Sequence, residues 1–143
     1  MTETRDIPGL CFATNARMAA RALTRRYDNA LRPHGLRVTQ FALLVAAELS
    51  GGERTITEIA DALGLERSTL SRGLAPLERR GLVALGPETQ HRARHMDITA
   101  EGRALLARAR ADWEAVQAAT EAALGADAGR VRAALARLAA LGH

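Results

Sequence analysis

The sequence predicts a mainly α chain, a winged helix-turn-helix set between N- and C-terminal helices that form a dimerisation region. Three observations predict it. The composition is rich in Ala and Leu with only 3% aromatic residues, which favours helices over sheet. Residues 55–80, TITEIADALGLERSTLSRGLAPLERR, read as a short amphipathic helix, a Gly turn and a second helix that exposes hydroxyls and arginines. Two short strand-like runs joined by a polar connection follow, the pattern of a hairpin wing.

Taken in order, residues 1–8 are polar and run into Pro8-Gly9, so a frayed tail is expected. From Leu10 to about Arg32, Leu10, Ala16, Ala20, Leu23, Tyr27 and Leu31 recur at three- and four-residue steps, an amphipathic helix stopped by Pro33 and Gly35. Thr39 is the expected N-cap of a second helix carrying Phe41, Leu44, Val45 and Leu49, ended by Gly51-Gly52. Thr55 caps the next helix, with Glu58 at capping-box spacing, and Ile56, Ile59, Ala60 and Leu63 form its apolar face. Gly64 supplies the sharp turn. The helix after it buries Leu70, Leu74 and Leu77 and presents Arg67, Ser68, Thr69, Ser71 and Arg72 on its other side. Pro76 lies inside that helix, as a tolerated kink or as a divide between an outward-facing half and a core-facing half.

Gly81 closes that helix. Residues 82–85 and 94–98 read as two strands, with the polar run 86–92 between them. Thr99 with Gly102 opens the longest helix, to about Leu124, carrying Leu105, Leu106, Ala109, Trp113, Val116 and Thr120. Trp113 reads as a core or interface filler. A final helix from about Asp127 presents Val131, Leu135 and Leu138. The expected boundaries are 1–36 for an N-terminal dimerisation helix, 37–100 for the winged helix-turn-helix and 101–143 for the C-terminal dimerisation helices. The apolar stripes at both ends exceed what one chain of 143 residues covers, so a homodimer is expected.

Composition narrows the function classes. All 20 basic side chains are arginine, and the net charge is +4. This permits a polyanionic partner without requiring one. A single cysteine, Cys11, excludes an intrachain disulfide framework. No stretch approaches a membrane span, and the N-terminus lacks the apolar core of a signal peptide, so a cytoplasmic location is expected. There is no Gly-rich phosphate loop, nucleophile triad or metal-spaced cluster, so neither an enzyme nor a cofactor is expected.

What remains is chemistry suited to double-stranded DNA. A helix entering the major groove needs short polar side chains near its N-terminus, where free backbone donors also favour phosphate. Ser68, Thr69, Ser71 and Arg72 meet that need beside Arg67. Arg92 and Arg94 lie on the polar hairpin, from which arginine can enter the minor groove. His91 and His95 have no accompanying carboxylate or thiol, so no metal site is expected. Cys11 reads either as a small hydrophobe at the dimer contact or as a thiol made reactive by a helix N-terminus. A winged-helix module that binds protein without DNA is the alternative reading.

The stretches LRPHGLRVTQFALL, TITEIADALGLERSTLSRGLAPLERRGLV and RARHMDITAEGRALL resemble the MarR family of dimeric winged helix-turn-helix regulators over nearly the whole chain. Arg92 falls on the family's wing arginine and Ile98-Thr99 with Gly102 on the end of its wing strand, while Gln90 stands where the family has an acidic residue. The resemblance implies a homodimer on a pseudopalindromic operator, usually a repressor, released by a small phenolic ligand or an oxidant. It implies that Ser68, Thr69, Ser71 and Arg72 read the major groove and that Thr39 and Thr55 hold phosphates. The start Leu10-Cys11-Phe12 is similar to the peroxide-sensing OhrR branch. There, a reactive Cys near the first helix is supported by tyrosines of the partner subunit. Tyr27 matches one such position, Asn15 lies near another, and the spacing from Cys11 to Tyr27 is two residues longer.

Overall fold

The computed structural model describes residues 1–89 and 93–142. The chain begins helical where a frayed tail was expected. A 3₁₀ turn, Thr4–Asp6, leads into α1, Ile7–Leu10, and after a break at Cys11 into α2, Phe12–Leu31. Pro8 occupies the first turn of α1, where its missing N–H costs nothing. The break is bridged by Asn15, whose Nδ2 donates to the carbonyls of Pro8 (3.4 Å), Gly9 (3.0 Å) and Cys11 (2.9 Å). One side chain thereby reaches the Pro8 and Gly9 carbonyls at the end of α1, while the Cys11 carbonyl also accepts the Asn15 backbone N–H at 3.0 Å.

A 3₁₀ turn, Arg32–His34, follows α2 and ends at Gly35 in the left-handed region, φ 65°. Helix α3, Val38–Ser50, passes through the core, burying Phe41, Leu43, Leu44 and Ala47. Its N-cap is Arg37, so the expected cap, Thr39, sits inside the first turn. Two acceptors set the start: Asp28 Oδ1, ten residues upstream, accepts the Val38 N–H at 2.8 Å, and Gln40 Oε1, at capping-box spacing, accepts the Arg37 N–H at 2.9 Å. Two acceptors from outside the expected position start the helix earlier than a Thr cap would.

Helix α4, Ile56–Leu63, is capped as expected, with Thr55 Oγ1 accepting the Glu58 N–H at 3.2 Å and Glu58 Oε2 accepting the Thr55 N–H at 2.8 Å. Gly64 turns the chain at φ 65° into α5, Arg67–Arg79, which buries Gly73, Leu74 and Leu77. Leu70, expected in the core, is half-buried. Strands β1, Val83–Leu85, and β2, Met96–Ile98, pair antiparallel with Val83 opposite Ile98 and Leu85 opposite Met96.

Helix α6, Ala100–Leu124, starts at Thr99, whose Oγ1 accepts the Gly102 N–H at 3.0 Å and donates to the Gly81 carbonyl at 2.6 Å. A β-carbon on Gly102 would lie 2.1 Å from the Leu82 carbonyl oxygen and 2.7 Å from Ile98 Cγ1. Only glycine allows α6 to seat so close to the hairpin. A 3₁₀ turn, Gly125–Asp127, leads to α7, Ala128–Ala140.

The core collects α3, the buried faces of α4 and α5, the hairpin, the end of α2 and the first half of α6. The outer parts of the terminal helices stand clear of it. Every residue from Phe12 to Ala22 is exposed, and so are Ile7, Leu10, Phe12, Met18, Leu135, Leu138 and Leu141. A compact monomer of 15.3 kDa exposes roughly 7,100 Å², whereas this chain exposes 10062 Å². Among the described residues no helix is long and apolar enough to cross a membrane.

Candidate nucleic-acid interface

Helix α5 divides by exposure along its length. Leu74 and Leu77 face the core, while Arg67, Ser68, Ser71 and Arg72 are exposed and Thr69 is half-buried. The expected polar face therefore exists on one side of a helix anchored by its other side. Glu66, at the N-cap, makes no side-chain hydrogen bond to the first turn. The backbone donors at that helix start remain open to an acceptor from outside.

The start of α4 differs. Thr55 Oγ1 accepts from Glu58 N–H and lies 3.1 Å from Glu58 Oε2, which also takes the Thr55 N–H. Those hydrogen bonds, from the Thr55 backbone first and its hydroxyl second, hold the Glu58 carboxyl below the usual glutamate range. The Thr55 hydroxyl and N–H are thus both engaged within the cap. Thr39 is half-buried in the first turn of α3.

Two arginines that the sequence reading passed over flank these positions. Arg37 precedes Val38, and Arg54 precedes Thr55; both are exposed. Among the described residues, Arg37, Arg54, Arg67 and Arg72 take part in no ion pair. Their available signal was positional, a basic residue directly before or at a helix start.

The wing is joined to this surface through its base. Ile56 N–H donates to the Arg94 carbonyl at 2.8 Å, Met96 N–H donates to the Arg54 carbonyl at 3.2 Å, and Thr55 bridges His95. Gly86 N–H donates to the His95 carbonyl at 2.9 Å and Thr89 N–H to the Ala93 carbonyl at 2.9 Å, which closes the hairpin. Arg94 Nε donates to the Gly86 carbonyl at 2.9 Å from a half-buried position. That Nε bond braces the base of the wing. Arg92, with Gln90 and His91, lies outside the described residues. Among those described, no group of His, Cys, Asp and Glu is arranged to hold a metal.

Two features lie away from this surface. A cavity of about 720 Å³ opens between α3 and α6, lined by Val38, Phe41, Val45, Leu49, Leu106 and Trp113 among others, with Glu48, Arg103 and Arg110 also lining it. Trp113 packs against the core, as expected of a filler, and also lines this cavity. Cys11 is half-buried at the N-cap of α2. The Thr14 hydroxyl, then the Thr14 and Ala13 backbone N–H groups, hold its thiol below the ordinary cysteine range, against a smaller opposing effect of burial. Tyr27, read as a partner to a thiol, donates its hydroxyl to Gln117 Oε1 of the same chain.

Comparison with known proteins agrees with this architecture. Residues 34–94 match the MarR family model. The chain is 39% identical to the Mycobacterium tuberculosis transcriptional regulator MosR, with a TM-score of 0.84, covering 94% of this chain and 97% of that one. MosR has also been solved in complex with DNA, again 39% identical, with a TM-score of 0.80 over 92% and 96% of the chains. The transcriptional repressor CouR is 26% identical when bound to a 23-mer DNA duplex, with a TM-score of 0.76 over 100% and 99% of the chains. It has been solved with p-coumaroyl-CoA as well. A Mycobacterium xenopi protein described as a probable hydrogen peroxide-inducible genes activator is 50% identical over 68 residues. Those residues are 47% of this chain, and the match spans 34% of that protein. The fold, the matched family model and the near full-length identity to MosR together establish that the chain belongs to the MarR family of transcriptional regulators.

Proposed function

We propose that the protein is a homodimeric, sequence-specific regulator of transcription that binds double-stranded DNA as a repressor. The observation that carries this reading is the outer face of α5. Exposed Arg67, Ser68, Ser71 and Arg72 surround a helix start whose backbone donors are uncapped. Arg side chains read guanine edges bidentately, Ser and Thr are more permissive, and the helix start attracts phosphate. Thr69 completes the reading surface. Arg54 and Arg37, with Thr39 beside it, supply backbone contacts, and the wing that carries Arg92 lies alongside the duplex.

The excess exposed surface supports the dimer. It amounts to about 2,900 Å² per chain beyond a compact monomer, ample for an obligate interface, whose area is counted over both partners. Residues 1–36 and 101–143 form that interface, and residues 37–100 form the DNA-binding lobe. A two-fold pair of α5 helices then enters successive major grooves about 34 Å apart. The reading includes no catalytic activity, and binding to chromosomal DNA places the protein in the cytoplasm.

Release is assigned to the cavity between α3 and α6. Its apolar walls suit a small aromatic effector, and an acidic group on it would compete with Glu48 for Arg103 (2.8 Å) and with Glu114 for Arg110 (3.5 Å). CouR, a repressor of similar fold, has been solved with an aromatic acyl thioester. Cys11, with its lowered pKa, is the candidate for an oxidant signal.

The test is enrichment of random duplexes on the purified protein. Recovery of a two-fold symmetric site is expected. No retention of any duplex favours a protein-binding module, and retention without sequence preference overturns the sequence-specific part of the reading.

A further inference from the structure

Among the described residues Gln40 is the buried polar side chain, at 7% exposure, and its carboxamide joins two helices. Oε1 accepts the Arg37 N–H at the start of α3, 2.9 Å away. Nε2 donates to the Gly73 carbonyl in the middle of α5, 3.2 Å away. Gly73 packs against α3: a β-carbon there would meet Leu43 Cδ1 at 3.5 Å and Gln40 Cγ at 3.7 Å.

That turn of α5 is the one its own backbone holds least. Pro76 has no N–H, so the Arg72 carbonyl loses its helical donor, and the pyrrolidine ring presses on the same carbonyl. Helices bend at proline and where a side chain enters the hydrogen-bond ladder. The Gln40 amide enters at the neighbouring carbonyl, Gly73, and α5 nevertheless runs unbroken from Arg67 to Arg79. Directly before Gly73 stand Ser71 and Arg72, both exposed.

We infer that Gln40 is a positioning residue for base recognition, clamping the proline-weakened turn of α5 so that Ser71 and Arg72 meet the bases at a fixed angle. The inference rests on the DNA-binding reading above. A side chain that no ligand touches would then govern how well the protein tells one duplex from another. Phosphate contacts depend on charge and tolerate small rotations, whereas a bidentate arginine contact does not.

The experiment compares wild type, Gln40→Met and Gln40→Glu on two labelled duplexes, the enriched site and a scrambled version of it, at several salt concentrations. Gln40→Met keeps the length and removes both hydrogen bonds. Gln40→Glu keeps an acceptor for Arg37 N–H but, ionised, donates nothing to Gly73. The ratio of the two affinities is expected to fall about tenfold in both variants, with affinity for the scrambled duplex and the salt slope unchanged. In an Arg72→Ala background the same Gln40 substitutions are expected to have little further effect.

A ratio equal to wild type in variants that fold, with only a lower melting temperature, would overturn the inference and leave Gln40 as a packing residue. So would a loss that simply adds to that of Arg72→Ala. If Gln40→Met does not fold, Gln40→Glu carries the comparison; failure of both to fold also overturns it. A wild-type protein that enriches no duplex refutes the DNA-binding reading instead, which separates the two failures.

Discussion

The indole of Trp113, on α6, stacks on the ring of Phe41, on α3, with centroids 5.9 Å apart and planes 11° from parallel. The pair ties the long C-terminal helix to the helix on which α5 rests, and both rings line the cavity between α3 and α6. Trp113 is the single tryptophan of the chain, so its fluorescence reports on that cavity alone. Titration with aromatic carboxylates is expected to quench it saturably and to lower affinity for the enriched duplex over the same concentration range. Trp113→Leu should weaken the effector without abolishing DNA binding. Quenching with no change in DNA affinity would detach the cavity from regulation.

Arg72 and Arg54 are both exposed and unpaired among the described residues, yet they are expected to fail differently. Arg72→Ala should cost about 1–3 kcal/mol on the enriched site and relax preference at one base position. Arg54→Ala should weaken all duplexes alike and flatten the salt dependence by about one phosphate contact. Binding isotherms on matched and scrambled duplexes between low and moderate salt distinguish these outcomes.

The cap of α4 makes stability depend on pH. The Thr55 N–H and hydroxyl hold the Glu58 carboxyl below its ordinary range, so the folded pKa lies under the unfolded value of about 4.3. The stabilisation is present in full above that value and is lost as pH falls through the folded pKa. Thermal unfolding of Glu58→Gln should therefore differ from wild type at neutral pH and converge with it in acid. Thr55→Ala should cost about 1 kcal/mol at neutral pH. A difference that is constant from neutral pH down through the acid range would contradict the cap.

The lowered thiol pKa of Cys11, owed first to the Thr14 hydroxyl, predicts alkylation by iodoacetamide at lower pH than for a free cysteine. Thr14→Val should move that profile upward. If the thiol is a signal, organic peroxide should reduce affinity for the enriched duplex in wild type and leave Cys11→Ser unaffected. Equal loss in both proteins would remove Cys11 from regulation.

What could be read in advance was what neighbours along the chain decide. Thr55 with Glu58, Gly64 at the turn, Thr99 with Gly102 and the outward Arg67, Ser68, Ser71 and Arg72 all depend on spacings of a few residues. What escaped depends on distant partners. Asp28, ten residues upstream, moves the start of α3 ahead of Thr39 by accepting the Val38 N–H. Asn15 keeps the chain helical through Pro8 and Gly9 by capping carbonyls on both. Arg94 turns to the Gly86 carbonyl, eight residues back across the hairpin. The capping box around Thr55 belongs with the legible features: Glu58, three residues on, accepts the Thr55 N–H at 2.8 Å. Pro76, ambiguous alone, gains a physical setting once Gln40 is seen beside Gly73.

The central claim is that two copies of this chain place their α5 helices on one duplex. Analytical ultracentrifugation of the protein with a labelled duplex bearing the enriched site tests it most directly. Two chains per duplex are expected, with affinity falling by orders of magnitude when one half-site is scrambled. One chain per duplex, or equal affinity for intact and half-scrambled sites, would contradict the account.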